Sequence, residues 1–339
     1  MICLNSAETL SKTLLSHAIQ SDASDIHFYP LPDSAEVFLR IQGERYLHDT
    51  IPRSMYETLL TYYKFTSGMD IGETRKPQNG TIQFHNNEET YALRLSTLPA
   101  NHYESLAVRI LPQERHLDLD DLFLFPFQRE RLLNLVNLRS GIILLTGPTG
   151  CGKTTTLYAL LQSIMKQKSY QTITLEDPIE KTMHDMLQVQ VNEKAGMSYQ
   201  VGLKAALRHD PDIIMVGEIR DQFTAHFAFE AALTGHLVLS TLHAKDAVGT
   251  LHRLMEMDLS KSDLMQSLIA VASLKLLPVM SQNSINRRAA LLEILDEHAL
   301  KTLLTKGDTE QAVHYHTFNH LRKKAYAYGF ISEAVFNEG

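Results

Sequence analysis

Cysteine, excess positive charge and long apolar runs are all scarce in this sequence, and each shortage excludes a class of protein. The 339 residues contain 2 cysteines, Cys3 and Cys151, which excludes a four-cysteine zinc site and indicates a reducing compartment. The net charge of −7 and the isoelectric point near 6.1 argue against a protein whose main task is to coat nucleic acid.

Membrane-spanning and export segments are also missing from the pattern. The longest apolar runs, such as residues 274–280, are interrupted by Lys or Pro and are too short to cross a bilayer. The first residues lack the basic region and the long apolar core of a signal peptide. We therefore expect a cytoplasmic protein whose contact with the cytoplasmic face of the cell membrane is peripheral.

The most informative segment that is present is a complete phosphate-binding P-loop, and it lies between an apolar run at 142–145 and a helix-compatible stretch at 155–161. Strand, glycine loop and helix form an anion nest from backbone N–H groups and a helix N-terminus. We expect Lys153 to reach the outer phosphates of ATP and the Thr154 hydroxyl to hold Mg²⁺. The predicted nucleotide-binding residues of the loop are Gly147, Pro148, Thr149, Gly150, Cys151, Gly152, Lys153, Thr154 and Thr155.

The length predicts two domains, and the hydrophobic pattern places both in the α/β class. Residues 1–111 read as a small α/β domain with helices at 6–19 and 54–65 and strands at 25–28, 35–41, 81–84 and 91–95. Residues 112–122 read as a linker. Residues 123–339 alternate helices with short buried strands at 141–145, 172–175, 213–216 and 237–240, which indicates a parallel sheet; from about 247 onwards we expect mostly helix.

Two acidic segments follow predicted strands. Glu176 comes at the end of one strand, where an open α/β sheet forms its ligand crevice, so it is a candidate to orient or deprotonate water; a solvated acidic turn is the open alternative. Four apolar residues, 213–216, are followed by Gly217 and Glu218, which is a Walker B element with glycine at the usual aspartate position. Glu218 must then act near water and bind Mg²⁺ through water.

A histidine lies at each end of the strand at 237–240. His236 or His243 could contact the γ-phosphate, since imidazole donates a hydrogen bond without a fixed charge; structural hydrogen bonding is the alternative. The spacing of His314, His316 and His320 resembles a metal ligand set only loosely, and we do not expect zinc.

Together these segments resemble the secretion and type IV pilus assembly ATPases, the GspE/PilB/PilT superfamily. The P-loop, the acidic box at 174–180, the glycine-variant Walker B at 210–220 and the histidine box at 234–243 occur in the order of that family. The segments 24–27, 68–71, 77–80 and 94–99 are similar to its N-terminal domain. The resemblance covers nearly the whole chain.

The resemblance implies a PAS-like N-terminal domain, a RecA-like ATPase domain and a homohexamer. It implies that Arg94 and Arg109 reach the nucleotide phosphates from the N-terminal domain, with a salt-bridged strand face as the alternative. It also makes Glu176 a candidate general base and assigns Glu218 and His243 to the catalytic surroundings, with His236 near the nucleotide.

Within that family, the short chain without a tetracysteine loop is most similar to the competence ATPases of Gram-positive bacteria. This implies a motor that acts on a polytopic membrane platform protein to assemble a type IV pilus-like pseudopilus for DNA uptake, without direct contact with nucleic acid. A pilus retraction ATPase, a type II secretion ATPase and a nucleotide-binding regulatory module with little turnover are the alternatives. Cys151 replaces a usual Ser or Ala, and we expect modification of its thiol to block nucleotide entry.

Overall fold

The computed structural model describes residues 2–87, 89–100, 103–112, 118–183, 185–281, 284–306 and 315–337. The chain divides into two compact units, Met1–Arg115 and His116–Gly339. The first unit contains, in chain order, α1 (Ile2–Gln20), β1 (Ala23–Pro30), β2 (Ser34–Ile41), β3 (Glu44–Pro52), α2 (Arg53–Thr66), β4 (Gln78–Asn86), β5 (Glu89–Ala100) and β6 (Tyr103–Pro112).

The strands of the first unit form an antiparallel six-stranded sheet in the order β3-β2-β1-β6-β5-β4. Side chains alternate between its two faces, as the period of a strand requires. One face carries Ile26, Phe28 and Val108, which are buried in a core with Leu14 of α1 and Leu59 of α2. The opposite face carries charged side chains such as Asp25 and Arg109, together with aromatic ones such as Phe38.

The predicted helices and strands of this unit all lie within observed elements of the same type. Strands β3 and β6 were not predicted. In β3 only Ile51 is buried, so the strand shows no alternation of apolar and polar residues. In β6 the buried residues Leu106, Val108 and Ile110 do alternate, and this signal was available in the sequence.

The second unit is built around a seven-stranded sheet. Its elements are α3 (Leu119–Leu122), α4 (Pro126–Leu135), β7 (Gly141–Thr146), α5 (Lys153–Gln167), β8 (Thr172–Glu176), β9 (Leu187–Gln190), α6 (Tyr199–Ala206), β10 (Ile213–Val216), α7 (Gln222–Leu233), β11 (Leu237–Leu242), α8 (Ala247–Glu256), α9 (Lys261–Ser267), β12 (Leu268–Ser281), β13 (Ser284–Asp296), α10 (Glu297–Lys306), α11 (Phe318–Ala327) and α12 (Glu333–Asn337).

The strand order of this sheet is β13-β12-β7-β11-β10-β8-β9, and every neighbouring pair is parallel except β12 and β13. The predicted strands at 141–145, 172–175, 213–216 and 237–240 are confirmed as β7, β8, β10 and β11. Every residue in these four strands is buried, because helices cover both faces of the sheet. The α/β fold class is confirmed.

The expectation of a mostly helical part from 247 to 339 is wrong for residues 268–281 and 284–296. These residues form the antiparallel strands β12 and β13, and β12 also pairs with β7. A short apolar run has no periodicity that separates a buried helix from a buried strand. The edge of β7 supplies backbone hydrogen bonds to β12, and this pairing makes residues 268–281 a strand and not a helix.

Candidate functional site

The P-loop connects β7 to α5 with the backbone that the motif requires. Gly147, Gly150 and Gly152 have φ values of +141°, +77° and +93°, a region that side chains disfavour. A Cβ atom at Gly147 would lie 2.6 Å from the carbonyl oxygen of Leu274 in β12. Pro148, Thr149 and Gly150 are exposed at the tip, while Thr154 and Thr155 lie in the first turn of α5. The loop therefore presents its backbone N–H groups and a helix N-terminus to a ligand.

Lys153 is buried beneath this loop. Its ammonium donates to the carbonyl oxygens of Gly147 at 2.9 Å and Pro148 at 3.0 Å. Burial lowers the pKa of Lys153, and the negative charges of Glu218 and Glu180 act in the opposite direction. Two carboxylates from different strand ends thus lie close enough to the P-loop lysine to affect its pKa.

His243 connects Lys153 to the Walker B glutamate. Its Nδ1 lies 3.5 Å from the Lys153 ammonium and its Nε2 lies 3.3 Å from Oε1 of Glu218. The ammonium can only donate and the carboxylate can only accept. The contact with Lys153 requires the tautomer in which Nδ1 accepts, and Nε2 then faces the Glu218 carboxylate.

Glu218 is held from its other side by Arg220. The Arg220 Nε donates to Oε2 of Glu218 at 2.8 Å, and its Nη1 lies 3.1 Å from Oδ2 of Asp177. Parallel strands end at the same edge of the sheet, so the segments after β7, β8, β10 and β11 meet there. Arg220 was predicted only as part of the Walker B segment, without a role of its own, and Glu180 only as part of the acidic box. The position of Arg220 two residues after Glu218 was the available signal.

Gly217 has a packing reason to be glycine. A Cβ atom there would lie 3.2 Å from the carbonyl oxygen of Leu175 and 3.4 Å from the hydroxyl of Tyr199. Burial raises the pKa of Tyr199 to about 12, so this phenol remains neutral. The backbone carbonyl of Gly217 accepts from the Thr241 hydroxyl at 2.7 Å. An aspartate side chain at 217 would press on β8, which leaves the carboxylate function to Glu218.

Glu176 is buried rather than open to the loop. Its Oε1 accepts from the Thr174 hydroxyl at 2.6 Å and from Nε2 of Gln188 at 3.2 Å, and its Oε2 accepts from the hydroxyl of Tyr158. The side chain is 2% exposed. These contacts tie α5, β8 and β9 together. The role of Glu176 as general base stays a prediction.

His236 lies far from the loop within this chain. Leu237 pairs with Gly141 and Leu242 with Thr146, so His236 is at the opposite end of the strand from His243. Its Nδ1 lies 3.0 Å from the carbonyl oxygen of Ala231 near the end of α7. The structure does not bring His236 to the P-loop of its own chain, and its contact with nucleotide stays a prediction.

Cys151 points into the protein. It is 5% exposed, and its sulfur would lie 2.7 Å from a Cβ atom on Gly147. Burial raises the pKa of its thiol. The side chain therefore supports the loop from below, which weakens the expectation that thiol modification readily blocks nucleotide entry.

Arg94 and Arg109 belong to the first unit and lie side by side as register partners on β5 and β6. Arg109 Nε donates to Oδ1 of Asp25 at 2.8 Å. A salt-bridged strand face is thus present, and the contact of both arginines with nucleotide stays a prediction.

The oxygen-rich edge suits Mg²⁺, which binds few protein oxygens and keeps water and phosphate ligands. Thr154 would supply its hydroxyl directly and Glu218 would act through water. Among the residues that the structure describes, no group of three or more His, Cys, Asp or Glu side chains could hold a metal ion. His314 lies outside the described residues, and the rings of His316 and His320 stack at 4.8 Å. Within the same described ranges, no helix is long and apolar enough to span a bilayer.

The family model and the relatives that match this chain all come from secretion, competence or pilus systems. The model of the family described as type II/IV secretion system protein matches residues 4–324. The chain is 40% identical to competence protein ComGA of Bacillus subtilis, with 97% of this chain and 96% of the relative covered. It is 39% identical to the type IV pilus assembly ATPase PilB of Thermus thermophilus, covering 80% of this chain and 31% of that protein.

Solved structures agree with the fold. The pilus retraction motor PilT with bound ADP superposes with a TM-score of 0.75 at 29% identity, covering 96% of this chain and 95% of that one. The ATPase DotB of Legionella pneumophila superposes with a TM-score of 0.77 at 23% identity, covering 97% and 94%, and supports the fold alone. This chain belongs to the type II/IV secretion system protein family.

Proposed function

We propose that this chain is a Mg²⁺-dependent ATP hydrolase that powers assembly of a competence pseudopilus. The observation that carries the enzymatic part is the contact of Lys153 and Glu218 through His243 at the P-loop edge. The end-to-end similarity to ComGA supports the competence role. ADP in the PilT relative supports a nucleotide as the ligand.

The arrangement divides the chemistry among named groups. The P-loop N–H groups and Lys153 bind the phosphates, where fixed positive charge stabilises the transition state. Mg²⁺ would neutralise charge that develops on the phosphate oxygens. Glu218 is the carboxylate best placed to orient the attacking water, because its Oε1 faces His243 near Lys153 and its Oε2 is fixed by Arg220.

The mechanical part of the proposal goes beyond a single chain. We propose a homohexamer at the cytoplasmic face of the membrane, in which Arg94 and Arg109 complete the nucleotide site. Their movement with the N-terminal unit would couple hydrolysis to motion, and a polytopic platform protein would receive that motion. Direct contact with DNA is not part of this function.

A retraction motor is the second candidate, since PilT superposes over nearly the full chain. Deletion of the gene separates the two: loss of surface filaments indicates assembly and excess filaments indicate retraction. The type II secretion relatives suggest protein secretion as a third candidate function, which a secretion assay in the same deletion strain would test. The remaining alternative is a nucleotide-binding module with little turnover.

Steady-state ATPase and nucleotide-binding assays on the full chain test the enzymatic proposal. We expect Lys153→Ala to lose binding, and Glu218→Gln to keep binding but lose turnover by roughly 10²-fold or more, as expected for a lost catalytic group. Glu230→Gln, on the exposed side of α7, is the matched control. Absence of turnover in the wild type, or full turnover in Glu218→Gln, would contradict the motor function.

A further inference from the structure

The face of the N-terminal sheet opposite its core carries a row of arginines that extends well beyond the two implied by family resemblance. Strand register aligns Arg45 of β3 with Arg40 of β2, Arg40 with Asp25 of β1, Asp25 with Arg109 of β6, and Arg109 with Arg94 of β5. With neighbouring strands about 4.8 Å apart, the four spacings of this row span about 19 Å. Four cations and one anion therefore lie on a single line across the sheet.

Asp25 organises the middle of this row. Its side chain is 9% exposed and accepts from Nε of Arg109 at 2.8 Å, while Nε of Arg40 lies 3.9 Å from its other oxygen. Arg40 also donates through Nη1 to the carbonyl oxygen of Gly43 at 2.7 Å. Both guanidinium groups are thus fixed on either side of one carboxylate, with side chains 53% and 39% exposed for Arg109 and Arg40.

Arg45 is ordered by aromatic rings instead. Its guanidinium lies 4.2 Å from the centre of the Phe38 ring and 4.9 Å from that of Tyr29, and it donates to the Tyr29 hydroxyl at 2.8 Å. Stacking of this kind fixes an arginine without neutralising its charge. Arg45 therefore remains available to an anion at the end of the row.

The neighbouring row on the same face adds no compensating negative charge. Register places His27 between Phe38 and Ala107. Burial lowers the pKa of His27. The charge of Asp25 raises this pKa, and the charges of Arg40, Arg45 and Arg109 oppose Asp25. The positive potential of the arginines thus reaches the adjacent strand positions.

We propose that this arginine row is an oligophosphate-binding face, in which Arg40 and Arg45 bind phosphate groups in addition to Arg94 and Arg109. Planar guanidinium groups bind phosphate oxygens in bidentate pairs, and a line of them suits a linear chain of phosphates. The nucleotide as natural ligand rests on the proposed ATPase function. The capacity to bind a phosphate chain does not.

Calorimetric titration with inorganic tripolyphosphate tests the face. The full chain with Lys153→Ala serves as parent, so that the P-loop does not dominate binding. We expect salt-sensitive binding by the parent and at least tenfold weaker binding after Arg40→Ala and Arg45→Ala are added together. Replacing both by Lys should recover part of the affinity, because charge is kept while the bidentate fork is lost.

Arg53→Ala is the matched control, since Arg53 pairs with Glu57 on α2, outside the row. No binding by the parent, an unchanged affinity in the Arg40 and Arg45 double variant, or an equal loss in Arg53→Ala would overturn the proposal. ATP turnover of the wild type is measured in a separate assay. If the arginine row does not bind tripolyphosphate, the proposed ATPase function is unaffected. If the wild type does not hydrolyse ATP, the tripolyphosphate titration still tests the arginine row.

Discussion

The buried hydrogen bond between Tyr158 and Glu176 makes a quantitative prediction about the stability of the second unit. Tyr158 is 6% exposed and Glu176 is 2% exposed, so neither can exchange its partner for bulk water. Burial raises the pKa of Tyr158, and the charge and hydrogen bond of Glu176 raise it further, so the phenol remains a donor through the neutral pH range. Tyr158→Phe removes this donor and keeps the ring.

The expected loss is about 1.5–3 kcal/mol, the range for a hydrogen bond to a charged group. For a unit of roughly 200 residues this corresponds to a decrease of roughly 3–12 °C in the melting temperature. Thermal unfolding followed by circular dichroism measures it, with Tyr328→Phe as control because Tyr328 is 61% exposed.

Turnover of Tyr158→Phe, measured well below its melting temperature, distinguishes the two roles of Glu176. We expect most activity to remain, since Glu176 supports the packing of α5 against β8 and β9. A melting temperature equal to that of the control would refute the assignment of this hydrogen bond. Normal stability together with lost turnover would favour Glu176 as general base.

Three further predictions concern positions where packing decides chemistry. Because burial raises the pKa of Cys151, iodoacetamide should label this thiol at least tenfold more slowly than a free thiol at pH 7.5. The labelling rate should rise as the pH rises. Labelling as fast as that of a free thiol, measured by mass spectrometry, would contradict the burial of Cys151. Gly217→Asp should lower stability by about 1–3 kcal/mol through overpacking against Leu175, without raising turnover. If Gly217→Asp has wild-type stability in denaturant and a higher ATPase rate, the overpacking explanation is wrong. Tyr315→Phe should cost about 1.5–3 kcal/mol, because the buried carboxylate of Glu293 loses a donor at 2.5 Å; an unchanged unfolding midpoint would count against it.

Several parts of the site could be predicted because local sequence is enough for them. The glycines at 147, 150 and 152 fix the loop whatever surrounds it, and apolar runs such as 213–216 are too short and too apolar for anything but buried elements. The position of Glu218 follows from the end of such a strand. The resemblance of the four motifs to the secretion ATPases could also be recognised from the sequence.

Other features depend on contacts between distant segments. Glu176 and Glu218 both follow buried strands, yet only the packing of Tyr158 and Gln188 shows that the first is enclosed. His236 and His243 flank one strand, and only its pairing with β7 shows which end lies at the P-loop.

The sequence by itself determined that this chain carries a P-loop, where that loop lies and which family the chain resembles, because these properties reside in contiguous motifs with fixed backbone demands. Tertiary structure alone decided that β12 joins β7 as a strand, that His243 rather than His236 meets Lys153, and that Arg40 and Arg45 align with Arg109. These outcomes depend on strand pairing and burial, which join residues far apart in the chain and leave no local signal.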